Sequence, residues 1–181
     1  LLAAARPARE AASPSAPKKR PDLATIWNHT YLHGEAWLSE SLPVGGTVKI
    51  GVPRVYLVLG AAIGPLDRRA GAVWGLGLGT AGRARGRFTP SLDAVAWFLS
   101  SDGDDGIRQA RLLQLRPLLA WQFKRDGQVS LLAGPTFNLA TANHNGNRQW
   151  SFGQDRWLWL NTADDQSIIR LWPGVQVGLR F

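Results

Sequence analysis

A chain of 181 residues, 45% of them hydrophobic and none of them cysteine, is long enough for one domain with a sizeable core and excludes disulfides, thiolate metal sites and a cysteine nucleophile. No apolar run approaches the ~20 residues of a membrane helix, but that does not exclude a barrel, whose spanning strands need only about 9–11 residues each. The net charge of +8, from 21 Lys+Arg against 13 Asp+Glu, suits anionic headgroups or polysaccharide; the bases are scattered over turns and alternate strand positions with no recognition helix, so nucleic acid is not an expected partner.

Residues 1–22 are rich in Ala, Pro, Arg, Lys and Ser and read as a disordered leader or linker, with 23–181 as the folded domain. The opening LLAAARPAREAAS is compatible with a signal-peptide tail or, preferably, with a boundary inside a longer protein, since a charged n-region and most of an apolar region are missing. The basic cluster Lys18, Lys19, Arg20 reads as solvated.

From Thr25 the apolar residues recur with period two, the signature of strands with one greasy face. Residues 25–38 place Ile26, Leu32, Ala36 and Leu38 opposite Trp27, His29, Tyr31, His33, Glu35 and Trp37. Residues 47–52 place Val48, Ile50 and Val52 opposite Thr47, Lys49 and Gly51. Pro53 and Arg54 break the pattern, and 55–64 resumes it with Leu57 and Leu59 opposite Tyr56 and Val58. In 71–80, Trp74, Leu76 and Leu78 oppose Gly75, Gly77 and Gly79. These glycines are not a phosphate loop, because no Lys-Ser/Thr and no helix pattern follows; they make room inside a narrow barrel. Residues 88–99, 109–124 and 129–141 continue the alternation, with Asp93, Arg116 and Gln114 among the polar rows and a tight turn at 125–128. Residues 143–166 form the longest connection, polar with a Trp-rich middle, expected to extend the flanking strands. The last stretch, SIIRLWPGVQVGLRF, sets Leu171, Pro173, Val175, Val177, Leu179 and Phe181 against Arg170, Trp172, Gly174, Gln176, Gly178 and Arg180.

Eight strands result, and the expected fold is all-β, an antiparallel up-and-down β-barrel of about eight strands, outer-membrane type, in the bacterial outer membrane. The longer connections (39–46, 65–70, 100–108, 143–166) fall at one end and the shorter ones (53–54, 81–86, 125–128) at the other. Nine Trp residues fit the bilayer interface, where an indole meets both lipid and water.

The polar rows set Glu35, Lys49, Asp93, Arg116, Arg170 and Arg180 inside, where charges must pair to be tolerated; a network that pins strand register is the expected role. His29, His33 and Glu35 share a face, but alternate strand residues stand roughly 6.5–7 Å apart, too far to chelate without a third strand, so no metal is expected. His144, Ser151 and Asp155 lie in a polar loop with no nucleophile motif, and Asp102, Asp104 and Asp105 lack the later Glu and the Gly of a calcium loop. No catalytic residue and no cofactor are expected.

The terminal GVQVGLRF resembles the closing-strand signature of bacterial outer-membrane barrels, which implies recognition by the barrel-assembly machinery through Val177, Leu179 and Phe181. More narrowly, YLHGEAWLSES, VWGLGLG, LLAGPTFNLA and RLWPGVQVGLRF, over roughly residues 24–181, resemble the carboxyl-terminal part of myxobacterial outer-membrane surface-repeat proteins, in which short LVNVAG-like repeats come first. The resemblance implies a non-enzymatic anchor or surface protein among outer-membrane lipid and other envelope proteins. Two alternatives stand beside it. One is a lipid-modifying enzyme on the same barrel, which needs a His–Ser or His–acid pair at a rim. The other is a soluble ligand-carrying barrel, which needs the Leu/Val/Phe rows to point inward.

Overall fold

The computed structural model describes residues 31–64, 72–101, 108–123, 128–143, 158–163 and 167–181. The expected leader at 1–22, the first residues of the first expected strand and the acidic run at 102–105 lie outside these. Among the described residues there are nine strands: β1 (Tyr31–Ser39), β2 (Val44–Val52), β3 (Val55–Ile63), β4 (Ala72–Ala81), β5 (Phe88–Ser101), β6 (Arg108–Gln122), β7 (Ser130–Asn143), β8 (Leu160–Ala163) and β9 (Ser167–Arg180).

Consecutive strands pair antiparallel from β1 to β7, β7 pairs with β9, and β9 closes back on β1. The result is a closed eight-stranded antiparallel barrel. Closure leaves no free sheet edge at the seam, where Glu35 pairs with Arg180 and Ser39 with Gln176. Beyond Gln176 the free edge of β9 is taken by β8, whose Leu160 pairs with Leu171. Part of the long connection read from sequence as 143–166 is therefore a strand in its own right. The start of β2 also shifts, to Val44, because Gly45 and Gly46 join the ladder opposite Trp37 and Ala36.

The period-two pattern decides the faces. Tyr56 and Val58 on β3, Val73 on β4, Val95 and Trp97 on β5 and Leu112 on β6 are buried in the bore. Leu57, Leu59, Trp74, Leu76, Leu78 and Leu113, their immediate neighbours, are exposed on the outer wall. The bore is filled. Its upper part holds Trp37, Trp97 and Trp172 with Leu42, Val73 and Leu112 in one apolar cluster. These three indoles are inside, although the Trp-rich composition by itself suggested the bilayer interface. Glycines seat two of them: a Cβ at Gly75 would lie 2.5 Å from a ring carbon of Trp97, one at Gly60 would lie 2.6 Å from another, and Gly45 faces the Trp37 ring. Leu42 arrives from the β1–β2 turn, which Ser39 holds by accepting from the Leu42 amide at 3.1 Å and donating its hydroxyl to the Leu42 carbonyl at 3.0 Å. That turn stoppers the mouth of the barrel.

Candidate functional site

Below the apolar layer the bore is ionic. Register alone sets Glu35 of β1 beside Thr47 of β2 and Arg180 of β9, and Asp93 of β5 beside Arg116 of β6. The Arg180 guanidinium lies 2.8 Å from Glu35, and the Arg116 guanidinium 3.1 Å from Asp93. Lys49 joins the two pairs. Its ammonium, reaching across from β2, sits 2.8 Å from Glu35 and 2.7 Å from Asp93. Buried ions are tolerated only when paired and further hydrogen-bonded, and both acids meet that condition. Tyr56 donates its hydroxyl to Asp93 at 2.7 Å, and Thr47 donates to Glu35 at 3.0 Å. Arg180 also donates to Ser91 at 3.2 Å, and Arg116 to Gln176 at 3.4 Å. The ammonium of Lys49 lies over the Tyr56 ring at 5.4 Å, and the Arg116 guanidinium over Trp37 at 5.8 Å.

A separate neutral ladder runs from one of the indoles. Trp97 donates its N–H to Gln114 at 3.2 Å, Gln114 donates to Asn138 at 2.9 Å, and Asn138 donates to Thr136 at 3.1 Å. The arrangement is a cross-brace. The ion layer ties β1, β2, β3, β5, β6 and β9 together through the centre, the ladder ties β5, β6 and β7, and neither carboxylate is left open to a ligand.

Of the six charges placed inside by the alternation, Glu35, Lys49, Asp93, Arg116 and Arg180 are gathered into one layer. Arg170 is on the same row of β9 but far along it, half-buried beside Ala140 and Asn161. Tyr56, Thr47, Ser91 and Gln176 complete the layer. They lie on the same alternating rows, but nothing in their spacing marks them as partners of particular charges.

The other candidate sites fare differently. His33 is half-buried against the Tyr31 ring, edge-on at 4.3 Å, and Glu35 is occupied by Lys49, Arg180 and Thr47. Among the described residues no three His or acidic side chains come together as a metal site. His29, His144, Ser151, Asp155 and the Asp102–Asp105 run lie outside the described residues.

The outer wall is the second feature. Leu76, Val177 and Leu179 are 46%, 45% and 44% exposed, and the same rows expose Leu38, Ile50, Leu57, Leu59 and Leu115. These rows point away from the bore, the opposite of what a soluble ligand-carrying barrel requires. Aromatic pairs stand on this surface, Trp74 with Phe98 at 4.5 Å and Trp121 with Phe123 at 5.4 Å. The final residue completes the seam. The Phe181 amide donates to the Gly34 carbonyl at 2.9 Å, the Gly34 amide donates back at 2.8 Å, and the Phe181 ring lies over Gly34.

Among solved structures, the chain is similar to the N-terminal β-barrel domain of Pseudomonas aeruginosa OprF, at a TM-score of 0.42 and 15% identity, over 84% of this chain and 98% of that one. The architecture itself is read from the strand pairing. No known protein family and no curated protein matches the chain, and the narrower likeness to myxobacterial surface-repeat proteins is not among these findings.

Proposed function

We propose that this barrel is a structural, anchoring or surface protein of the bacterial outer membrane and carries out no catalysis. The observation that carries the reading is the inversion of the usual globular pattern, with aliphatic rows outside and paired charges inside. A water-facing wall of this kind would be an exposed apolar patch far larger than soluble monomers carry. The dimensions agree. A nine-residue strand such as β3, tilted as barrel strands are, rises roughly 23 Å along the axis, against an apolar band of about 25 Å in membrane barrels. The filled bore argues against a conducting pore and favours anchoring. In this reading lipid surrounds the wall, other envelope proteins meet the longer connections, and the assembly machinery recognises the last strand through Val177, Leu179 and Phe181.

The test is fractionation of cells expressing the chain, followed by detergent extraction and electrophoresis with and without boiling. The expected outcome is recovery with outer membranes, release only by detergent, and a folded band that shifts on heating. Recovery in the aqueous fraction without detergent would refute the proposal.

A further inference from the structure

Two adjacent turns at the short-turn end of the barrel carry four arginines. Arg54 is in the two-residue turn between β2 and β3, and Arg83, Arg85 and Arg87 are in the β4–β5 connection; all four are exposed. None has an ion pair among the described residues, whose nearby acids Glu35 and Asp93 are committed to Lys49, Arg116 and Arg180. The backbone beneath them is fixed. The Ala81 amide donates to the Pro53 carbonyl at 2.6 Å, which locks one turn against the other. The Gly82 amide donates to Pro90 at 2.9 Å, Arg85 and Phe88 exchange bonds at 2.8 and 3.1 Å, and the Gln122 amide donates to the Arg87 carbonyl at 2.9 Å. Gly86, with φ of +64°, supplies the left-handed residue that the tip needs.

Four exposed guanidiniums carried on two bonded turns make a positive patch that attracts anions. The neighbourhood identifies the anion. Val52 and Val55 flank Arg54, Phe88 follows Arg87, and all three apolar side chains are exposed on the outer wall. The charges therefore sit where the apolar band ends, the level of lipid headgroups, and guanidinium forks match phosphate oxygens in pairs.

We propose that Arg54, Arg83, Arg85 and Arg87 form a binding surface for the phosphates of anionic phospholipid in the leaflet facing the short-turn end. The proposal rests on the membrane placement above.

The test uses the full chain folded into nanodiscs of mixed phosphatidylcholine and phosphatidylglycerol, with the lipid retained after transfer to neutral detergent quantified by mass spectrometry. The wild type is expected to retain phosphatidylglycerol preferentially. The R54Q/R83Q/R85Q/R87Q variant should lose that preference by roughly tenfold or more, since each basic group near a membrane surface adds a comparable increment that salt screens. The corresponding four-lysine variant keeps the charge and should keep most of the preference. An unchanged preference in the glutamine variant, or none in the wild type, overturns the proposal. So does displacement of the lipid by inorganic phosphate at matched concentration, which would mark a free-anion site, or capture of polyglutamate without lipid selectivity, which would mark a protein-binding surface. A heat-modifiability gel in the mixed-lipid nanodiscs separates the two levels. A chain that does not fold there removes the membrane placement and this surface with it, whereas one that folds without lipid preference removes this surface alone.

Discussion

Asp93 is one of the two acids that hold the interior layer together, and its replacement by Asn tests the layer directly. The carboxylate is fully buried and accepts from Lys49 at 2.7 Å, Arg116 at 3.1 Å and Tyr56 at 2.7 Å. The layer holds three bases, Lys49, Arg116 and Arg180, against two acids, Glu35 and Asp93, an excess of one positive charge. D93N keeps the shape and much of the hydrogen bonding but leaves three buried cations facing one acid. Removing one partner of a buried ion pair costs about 3–5 kcal/mol, and that range applies because Arg116 loses its acid while Lys49 is left to share Glu35 with Arg180. Lys49→Met is the instructive contrast. It balances the layer at two bases and two acids, and it leaves Glu35 with Arg180 and Thr47, and Asp93 with Arg116 and Tyr56. Its expected cost is on the order of 1–2 kcal/mol, the scale of lost hydrogen bonds rather than of a stranded ion. The D93N/K49M double variant should be more stable than the sum of the singles by about 1–3 kcal/mol, because removing the ammonium relieves part of the positive excess that D93N leaves around Arg116. Urea unfolding in vesicles, followed by the heat-sensitive gel band and by tryptophan fluorescence, measures all three. The reasoning fails if K49M costs as much as D93N, or if the two add to within about 0.5 kcal/mol.

Three further outcomes follow from the wall and the seam. Leu59→Arg, at the middle of β3 on the outer face, should cost about 2–4 kcal/mol in a bilayer, where a water-facing site would show a change within about 0.5 kcal/mol; the same urea titration distinguishes them. Gly75→Ala should destabilise by about 1–3 kcal/mol through overpacking against Trp97, and the penalty should vanish in a Trp97→Ala background, so an equal cost in both backgrounds would refute the packing account. Phe181→Ala removes the ring over Gly34 but keeps the paired backbone bonds; folded protein in cell membranes should fall sharply while refolding into detergent micelles persists, as judged by the gel shift, and parallel losses in both would show a stability defect rather than an assembly signal.

Much of the architecture is legible in the chain because a barrel wall has only two faces. Once Leu76 and Leu78 are assigned outward, Gly75, Gly77 and Gly79 must be inward, and a rule this rigid carries from strand to strand. The charged residues followed the same rule. What the rule does not contain is the distance across the bore. Asp93 and Arg116 are cross-strand neighbours and can be paired from register, but Lys49 meets Asp93 from β2 to β5, a contact set by barrel diameter and side-chain length. Leu42 is harder still, since it lies in a turn and owes its burial to how Ser39 folds that turn inward. Indole composition was a poor guide for Trp37, Trp97 and Trp172. For Trp37 and Trp97 the better signal was the opposing glycine, because Gly45, Gly60 and Gly75 open spaces that these rings fill.

Over the described strands the wall is not of even height, and this bears on the proposed anchoring role. β1 to β4 run 9 or 10 residues, whereas β5, β6, β7 and β9 run 14 or 15. Five additional residues of tilted strand amount to on the order of 12 Å of extra wall. The apolar band need only match the shorter half, so the surplus on the taller half stands beyond it. β8 pairs along β9 at its amino-terminal end, where β9 has run on past the end of β1, and thickens the raised side where the longest connection leaves the barrel. An ion layer at the short-turn end and an indole layer with the Leu42 stopper above it make the cylinder stiff between the two. For the proposed anchoring role, a rigid, filled stem with a one-sided raised wall favours display over the passage of solutes.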